Sequence, residues 1–196
     1  MRNAQLPIIF VGFMGTGKTI VGQYLSDLQN LSYVDLDEYI EVNECKSIPE
    51  IFSNKGEHGF RYLESKYLTE CFDSFDVIST GGGIIENSTS LELLKRQNYV
   101  IWLDCDIDII YRRIVNDPHR PNAMNKTLEQ LKALYSSRIS RYNEIAFMKV
   151  NSALTVSEIY QEIINELSSD WSVLERIEMK FRIDLNFTLS PKVQVI

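Results

Sequence analysis

The segment Gly12-Phe13-Met14-Gly15-Thr16-Gly17-Lys18-Thr19 constrains this chain more than any other. Its spacing, G-x-x-x-x-G-K-[ST], is that of a phosphate-binding loop. The context agrees, because the apolar run Ile8-Ile9-Phe10-Val11 precedes it and an amphipathic stretch over 18–29 follows. Glycines let the backbone curl so that several N–H groups face one phosphate, and the following helix adds the positive end of its dipole. Gly15, Thr16, Gly17, Lys18, Thr19 and Ile20 are therefore the expected nucleotide-binding residues. Lys18 can reach the β- and γ-phosphates, and the Thr19 hydroxyl can ligate Mg²⁺.

Further short apolar runs, Tyr33-Val34, Val77-Ile78, Val100-Ile101-Trp102-Leu103 and the weaker Phe147-Met148-Lys149-Val150, alternate with helical patterns over 47–55, 57–72, 88–96, 107–116, 127–142 and 156–168. Near-continuous apolar strands between helices signal a parallel sheet covered on both faces. The expectation is an α/β chain with a five-stranded parallel sheet in three layers. The polar, breaker-rich stretch 116–126 between two helices reads as an active-site lid. From Phe181 to Leu189 apolar and polar residues alternate strictly, the period of a half-buried strand appended to the core.

The net charge of −7 disfavours nucleic acid and anionic membrane as partners, and makes the chain an odd host for anions unless positive charge is concentrated in one place. Three dispersed cysteines and two histidines offer neither a zinc site nor a disulfide framework. No apolar run approaches the ~20 residues of a membrane span, so the cytoplasm is the expected compartment.

A phosphate loop names the donor and leaves the acceptor open. A guanine-reading Asn-Lys-x-Asp is missing, since Asn125-Lys126 continues as Thr127-Leu128, which argues against a GTPase switch. Asp35-Leu36-Asp37 follows the second strand, and strand alternation would aim both carboxylates at one site. One would support Mg²⁺ or its waters and the other a substrate hydroxyl. Asp37 is also a candidate helix cap. Arg61, with Glu64 three residues on, reads either as a surface ion pair or as an arginine held to receive a carboxylate. Gly81-Gly82-Gly83 after the third strand leaves backbone N–H groups open to a ligand.

This ordered set closely resembles the shikimate kinase family. It comprises the loop 12–19, Asp35-Leu36-Asp37, Gly-Glu-x-x-Phe-Arg-x-x-Glu from Gly56 to Glu64, Gly81-Gly82-Gly83, Arg120-Pro121, and Arg138 followed by Tyr142. The likeness runs over about residues 6–168. It implies a P-loop kinase fold over 1–169, with a substrate-binding insert at about 36–64, a lid at about 114–126 and an extension from 170 to 196. The implied reaction moves the γ-phosphoryl of ATP to the 3-hydroxyl of shikimate. Lys18 would hold the transferring group, Thr19 would ligate Mg²⁺, and Asp35 would lie in the metal's outer coordination sphere. Asp37 would orient or deprotonate the attacking hydroxyl. Arg61 and Arg138 would clamp the carboxylate, with Gly81, Gly82 and Gly83 contacting the substrate. Arg120 would swing over the phosphates and Arg113 would lie near the adenine. Two departures stand out: Asn122-Ala123 where an apolar pair is usual, and no arginine in Asn151-Ser152-Ala153-Leu154. Competing readings are a kinase of the same fold acting on gluconate or a nucleoside monophosphate, and a nucleotide-binding module without turnover. A monomer is expected, with the C-terminal strand able to mediate a dimer.

Overall fold

A computed structural model describes residues 7–115 and 127–169. The chain divides into two compact units, residues 1–160 and 161–196. Of the second, residues 161–169 are described, and they are helical.

The expected five-stranded sheet is present and wholly parallel. It is built from β1 (Ile8–Val11), β2 (Tyr33–Asp35), β3 (Val77–Ser79), β4 (Tyr99–Asp104) and β5 (Met148–Asn151), in the order β2-β3-β1-β4-β5. Every residue of β1, β3 and β4 is buried, the mark of strands covered on both faces. The helices are α1 (Lys18–Gln29), α2 (Leu36–Glu44), α3 (Ile48–Ser74), α4 (Ser88–Lys95), α5 (Ile107–Val115), α6 (Leu128–Ile145) and α7 (Val156–Ser169), with a 3₁₀ turn at Ile84–Glu86. On one side of the sheet Ile9, Val11, Ile78, Val100 and Trp102 form a single core with residues of α3, α4 and α6. No described helix is long and apolar enough to cross a membrane.

The helix ends follow local chemistry. Asn87 caps α4 through its side chain, which accepts from the Thr89 and Ser90 N–H groups. Thr127 and Gln130 form a reciprocal capping box at the start of α6. At Gly56, φ 65° and ψ −178° interrupt α3, so the two helices read at 47–55 and 57–72 are the two arms of one bent element. That backbone conformation is essentially reserved for glycine.

One helix differs from the sequence expectation. β2 stops at Asp35 and α2 begins at once, so Asp37 lies in the first helical turn and not on the strand. The cap is Asp35, whose Oδ1 accepts from the Asp37 N–H at 3.0 Å. The carboxylates of 35 and 37 are thus placed by a strand-to-helix junction and not by strand alternation. The lid stretch 116–126 with Arg120, and the alternating segment 181–189, lie outside the described residues.

Candidate active site

The phosphate loop leaves β1 and enters α1 through Gly17, which holds φ 86° at the helix N-cap. A left-handed residue there turns the chain so that the N-terminus of α1 opens onto the loop. Thr16 is buried, its hydroxyl donating to the Phe13 carbonyl at 2.8 Å. Lys18 is also buried and donates to the carbonyls of Gly12 and Phe13 at 2.9 and 3.0 Å. The Thr19 hydroxyl donates to Asp35 Oδ2 at 2.8 Å. This contact brings two of the expected metal-site residues together. Among the described residues no group of three His, Cys, Asp or Glu side chains could hold a metal alone. A hydroxyl and one carboxylate suit Mg²⁺, a hard ion that keeps several waters and takes substrate phosphates as ligands.

Beside the loop lies a cavity of about 390 Å³ lined by Gly15, Thr16, Gly17, Ile20, Arg113 and Leu154, among others. Arg113 forms part of its wall by donating to the Gly15 carbonyl at 3.3 Å and the Ser152 carbonyl at 2.8 Å. The turn at 151–154 therefore meets this cavity through the Ser152 backbone and through Leu154.

A second cluster of candidate residues forms where α2, α3, the glycine loop and α6 meet. Gly81 brings the backbone against Asp37: a Cβ there would sit 2.8 Å from Asp37 Oδ1. Gly83 does the same for Arg61, whose Nη2 would be 2.5 Å from an added Cβ. Gly82 packs on the phosphate loop, with Met14 N 2.9 Å from the corresponding position. Its carbonyl accepts from the Tyr142 hydroxyl at 2.5 Å and from Arg138 Nη1 at 3.2 Å. Three sequence-distant candidates, Asp37, Arg61 and Arg138, thus converge on one glycine loop.

The electrostatics are arranged in pairs. Arg61 pairs with the buried Glu64 and reaches Glu57 at 3.5 Å. Arg138 Nε donates to Glu86 Oε1 at 2.7 Å, and its guanidinium lies over the Phe13 ring, 5.5 Å from the centroid. Burial pushes the Asp37 carboxyl up to about 7, helped by the neighbouring negative charges of Asp35 and Glu64 and opposed by Lys18 and Arg61. Glu64 is likewise raised by burial, against the pull of Arg61. Two buried atoms beside the glycine loop, Asp37 Oδ1 and Arg61 Nε, have no hydrogen-bond partner among the described residues. Each such buried unpaired group calls for a cause of its own, an ordered water, a catalytic role or a bound group; Ser90 Oγ, Trp102 Nε1 and Ser152 Oγ are the other examples among the described residues.

Glu86 is a contact that sequence reading does not identify. Glu86 follows the glycine run but sits 52 positions from Arg138, so no local spacing betrays the pairing. Tyr142 carries a signal, being one turn beyond Arg138 on the same helix face.

A family model described as shikimate kinase matches residues 14–168. A shikimate kinase of Staphylococcus epidermidis is 68% identical over 170 residues, covering 87% of this chain and all of that protein. One from Staphylococcus haemolyticus is 62% identical over 168 residues, covering 86% of this chain and 98% of the relative. Among solved structures, the shikimate kinase of Acinetobacter baumannii in complex with shikimate superposes with a TM-score of 0.77 at 30% identity, covering 85% of this chain and 95% of that one. The enzyme of Aquifex aeolicus gives 0.75 at 31% identity, covering 86% and 99%.

Proposed function

The chain belongs to the shikimate kinase family, and from that premise we propose how its residues divide the work. The protein transfers the γ-phosphoryl group of ATP to shikimate, giving shikimate 3-phosphate and ADP. The observation that carries the acceptor site is the pair of unpartnered buried atoms, Asp37 Oδ1 and Arg61 Nε, on either side of the glycine loop. One is an acceptor awaiting a hydroxyl and the other a donor awaiting an anion. A hydroxylated carboxylate supplies both.

The nucleoside occupies the cavity beside Arg113 and Ile20, and the triphosphate lies along the backbone N–H groups of Gly15, Thr16 and Gly17. Lys18 exchanges the carbonyls of Gly12 and Phe13 for the β- and γ-phosphates. Mg²⁺, held through Thr19 with Asp35 behind it, would neutralise charge on the phosphoryl oxygens when bound. Asp37, with a pKa near neutrality, is suited to take the proton of the attacking hydroxyl. Arg61 and Arg138 receive the carboxylate, and Gly81, Gly82 and Gly83 permit the substrate to approach the backbone. By the sequence resemblance, Arg120 would act on the phosphates from the lid, which lies outside the described residues apart from Ile114 and Val115 at the end of α5. Closure keeps out water, which would otherwise compete as acceptor.

An ADP-release assay with shikimate, gluconate, AMP or no acceptor tests the reading. Turnover should require shikimate. Arg61→Ala should raise the shikimate KM at least tenfold, about the cost of a charge-assisted hydrogen bond, while the ATP KM stays within twofold. Turnover with gluconate or AMP at the shikimate rate would replace the acceptor. ATP binding with no turnover would leave a nucleotide-binding module.

A further inference from the structure

We propose that Glu86 is a positioning residue for the acceptor: it holds Arg138 so that the terminal nitrogens of the guanidinium, and not its Nε edge, meet the substrate carboxylate. The inference rests on the reading of Arg138 as a carboxylate clamp.

A guanidinium can take a carboxylate through its Nε edge or through its two terminal nitrogens, and only one geometry suits a given pocket. Here the Nε edge is taken. Glu86 Oε1 accepts from Arg138 Nε at 2.7 Å, in an ion pair whose arginine side chain is 10% exposed. Nη1 already gives one hydrogen to the Gly82 carbonyl at 3.2 Å. Nη1 has a second hydrogen and Nη2 has two, so the open fork of donors is the terminal one.

Glu86 is itself held in place. It closes the 3₁₀ turn after the glycine run, with its N–H donating to the Gly83 carbonyl at 2.9 Å. Arg141 braces both its side chain and its turn, since Nη1 donates to Glu86 Oε2 and to the Ile85 carbonyl, each at 3.2 Å. The next residue serves the other clamp: Asn87 Nδ2 donates to the Arg61 carbonyl at 3.0 Å. Two consecutive residues therefore register both arginines, from α3 and from α6, against the glycine loop. The charge balance fits this role. Arg138, Glu86 and Arg141 together carry one net positive charge, enough to bind a single carboxylate.

The test compares Glu86→Gln, Glu86→Ala and Arg138→Ala with the wild-type enzyme. The Ala variant at 86 should raise the shikimate KM about tenfold and the isosteric Gln variant by less, because the amide still accepts from Nε without charge. The ATP KM should stay within twofold and kcat within threefold. With an acceptor whose carboxylate is replaced by a hydroxymethyl group, wild-type and Glu86 variants should give the same KM. The NMR signal of the Arg138 Nε–H, assigned by its loss in Arg138→Lys, should shift and exchange faster in both Glu86 variants. An unchanged shikimate KM in Glu86→Ala, with Arg138→Ala strongly impaired, overturns the positioning role and leaves the clamp standing. No effect of Arg138→Ala on the shikimate KM removes the clamp, and this inference with it. Equal losses on both substrates and on the hydroxymethyl analogue make Glu86 a structural residue only.

Discussion

The Asp37 carboxyl is placed at the cost of stability. Its pKa of about 7 stands above the ordinary value of 3.8, so the folded state binds the proton more tightly than the unfolded chain does. The sign follows: stability from this group is greatest when it is protonated and declines as pH rises from about 4 to about 7. Ionised Asp37 is destabilising at the pH where it is needed. Asp37→Asn should therefore raise the melting temperature of the unliganded protein by roughly 5–10 °C at pH 8. The gain should fall to about a quarter at pH 4.5, and shikimate phosphorylation should be lost. A melting curve at each pH checks this; a variant no more stable at pH 8 than at pH 4.5, relative to wild type, contradicts it. Catalytic placement of a buried charge commonly trades against stability in this way.

At the scale of elements, strands and long helices are legible because their burial repeats. β1 and β4 read as continuous apolar runs since both faces are covered. α2 is not legible. Its sequence, Leu-Asp-Glu-Tyr-Ile-Glu-Val-Asn-Glu, buries only Leu36 and Ile40, too few positions for a helical period to show. A helix cap at this junction is legible in the sequence but is expected at Asp37, whereas Asp35 holds it. Motif residues such as Lys18 and Arg61 are found because their spacing is local. Glu86 escapes because its partner is brought by the fold. The bend in α3 gives a further prediction. An added Cβ at Gly56 would meet nothing within 4 Å, so substitution there carries a backbone cost without a clash. Gly56→Ala should destabilise by about 1–3 kcal/mol, a drop of several degrees in melting temperature; an unchanged midpoint would show that the bend is not held by glycine. The arm after the bend carries Arg61, so the shikimate KM is the second quantity to follow.

At the scale of the whole molecule, a chain of net charge −7 gathers Arg61 and Arg138 at one glycine loop, Arg61 paired with Glu57 and Glu64 and Arg138 with a glutamate, Glu86, that it shares with Arg141. The family model ends at residue 168, and the Staphylococcus epidermidis relative is matched over its full length by 170 residues of this chain. A chain ending at residue 169 should therefore retain kcat and both KM values within twofold; loss of turnover with the fold intact would assign residues 170–196 a part in catalysis, and a change in molar mass would assign them a part in assembly. The strand order has a consequence during synthesis. β1 lies at the centre of the sheet, and Ile8 pairs with Val77 on one side and Tyr99 on the other. At roughly 5–20 residues per second, the ribosome takes on the order of ten seconds after making β1 to deliver its first partner. Throughout that interval a wholly apolar segment hangs from the nascent chain with both edges open, and the nucleotide loop attached to it has no sheet to rest on. ATP binding should therefore arise only after β3 and β4 have been made and have paired with β1.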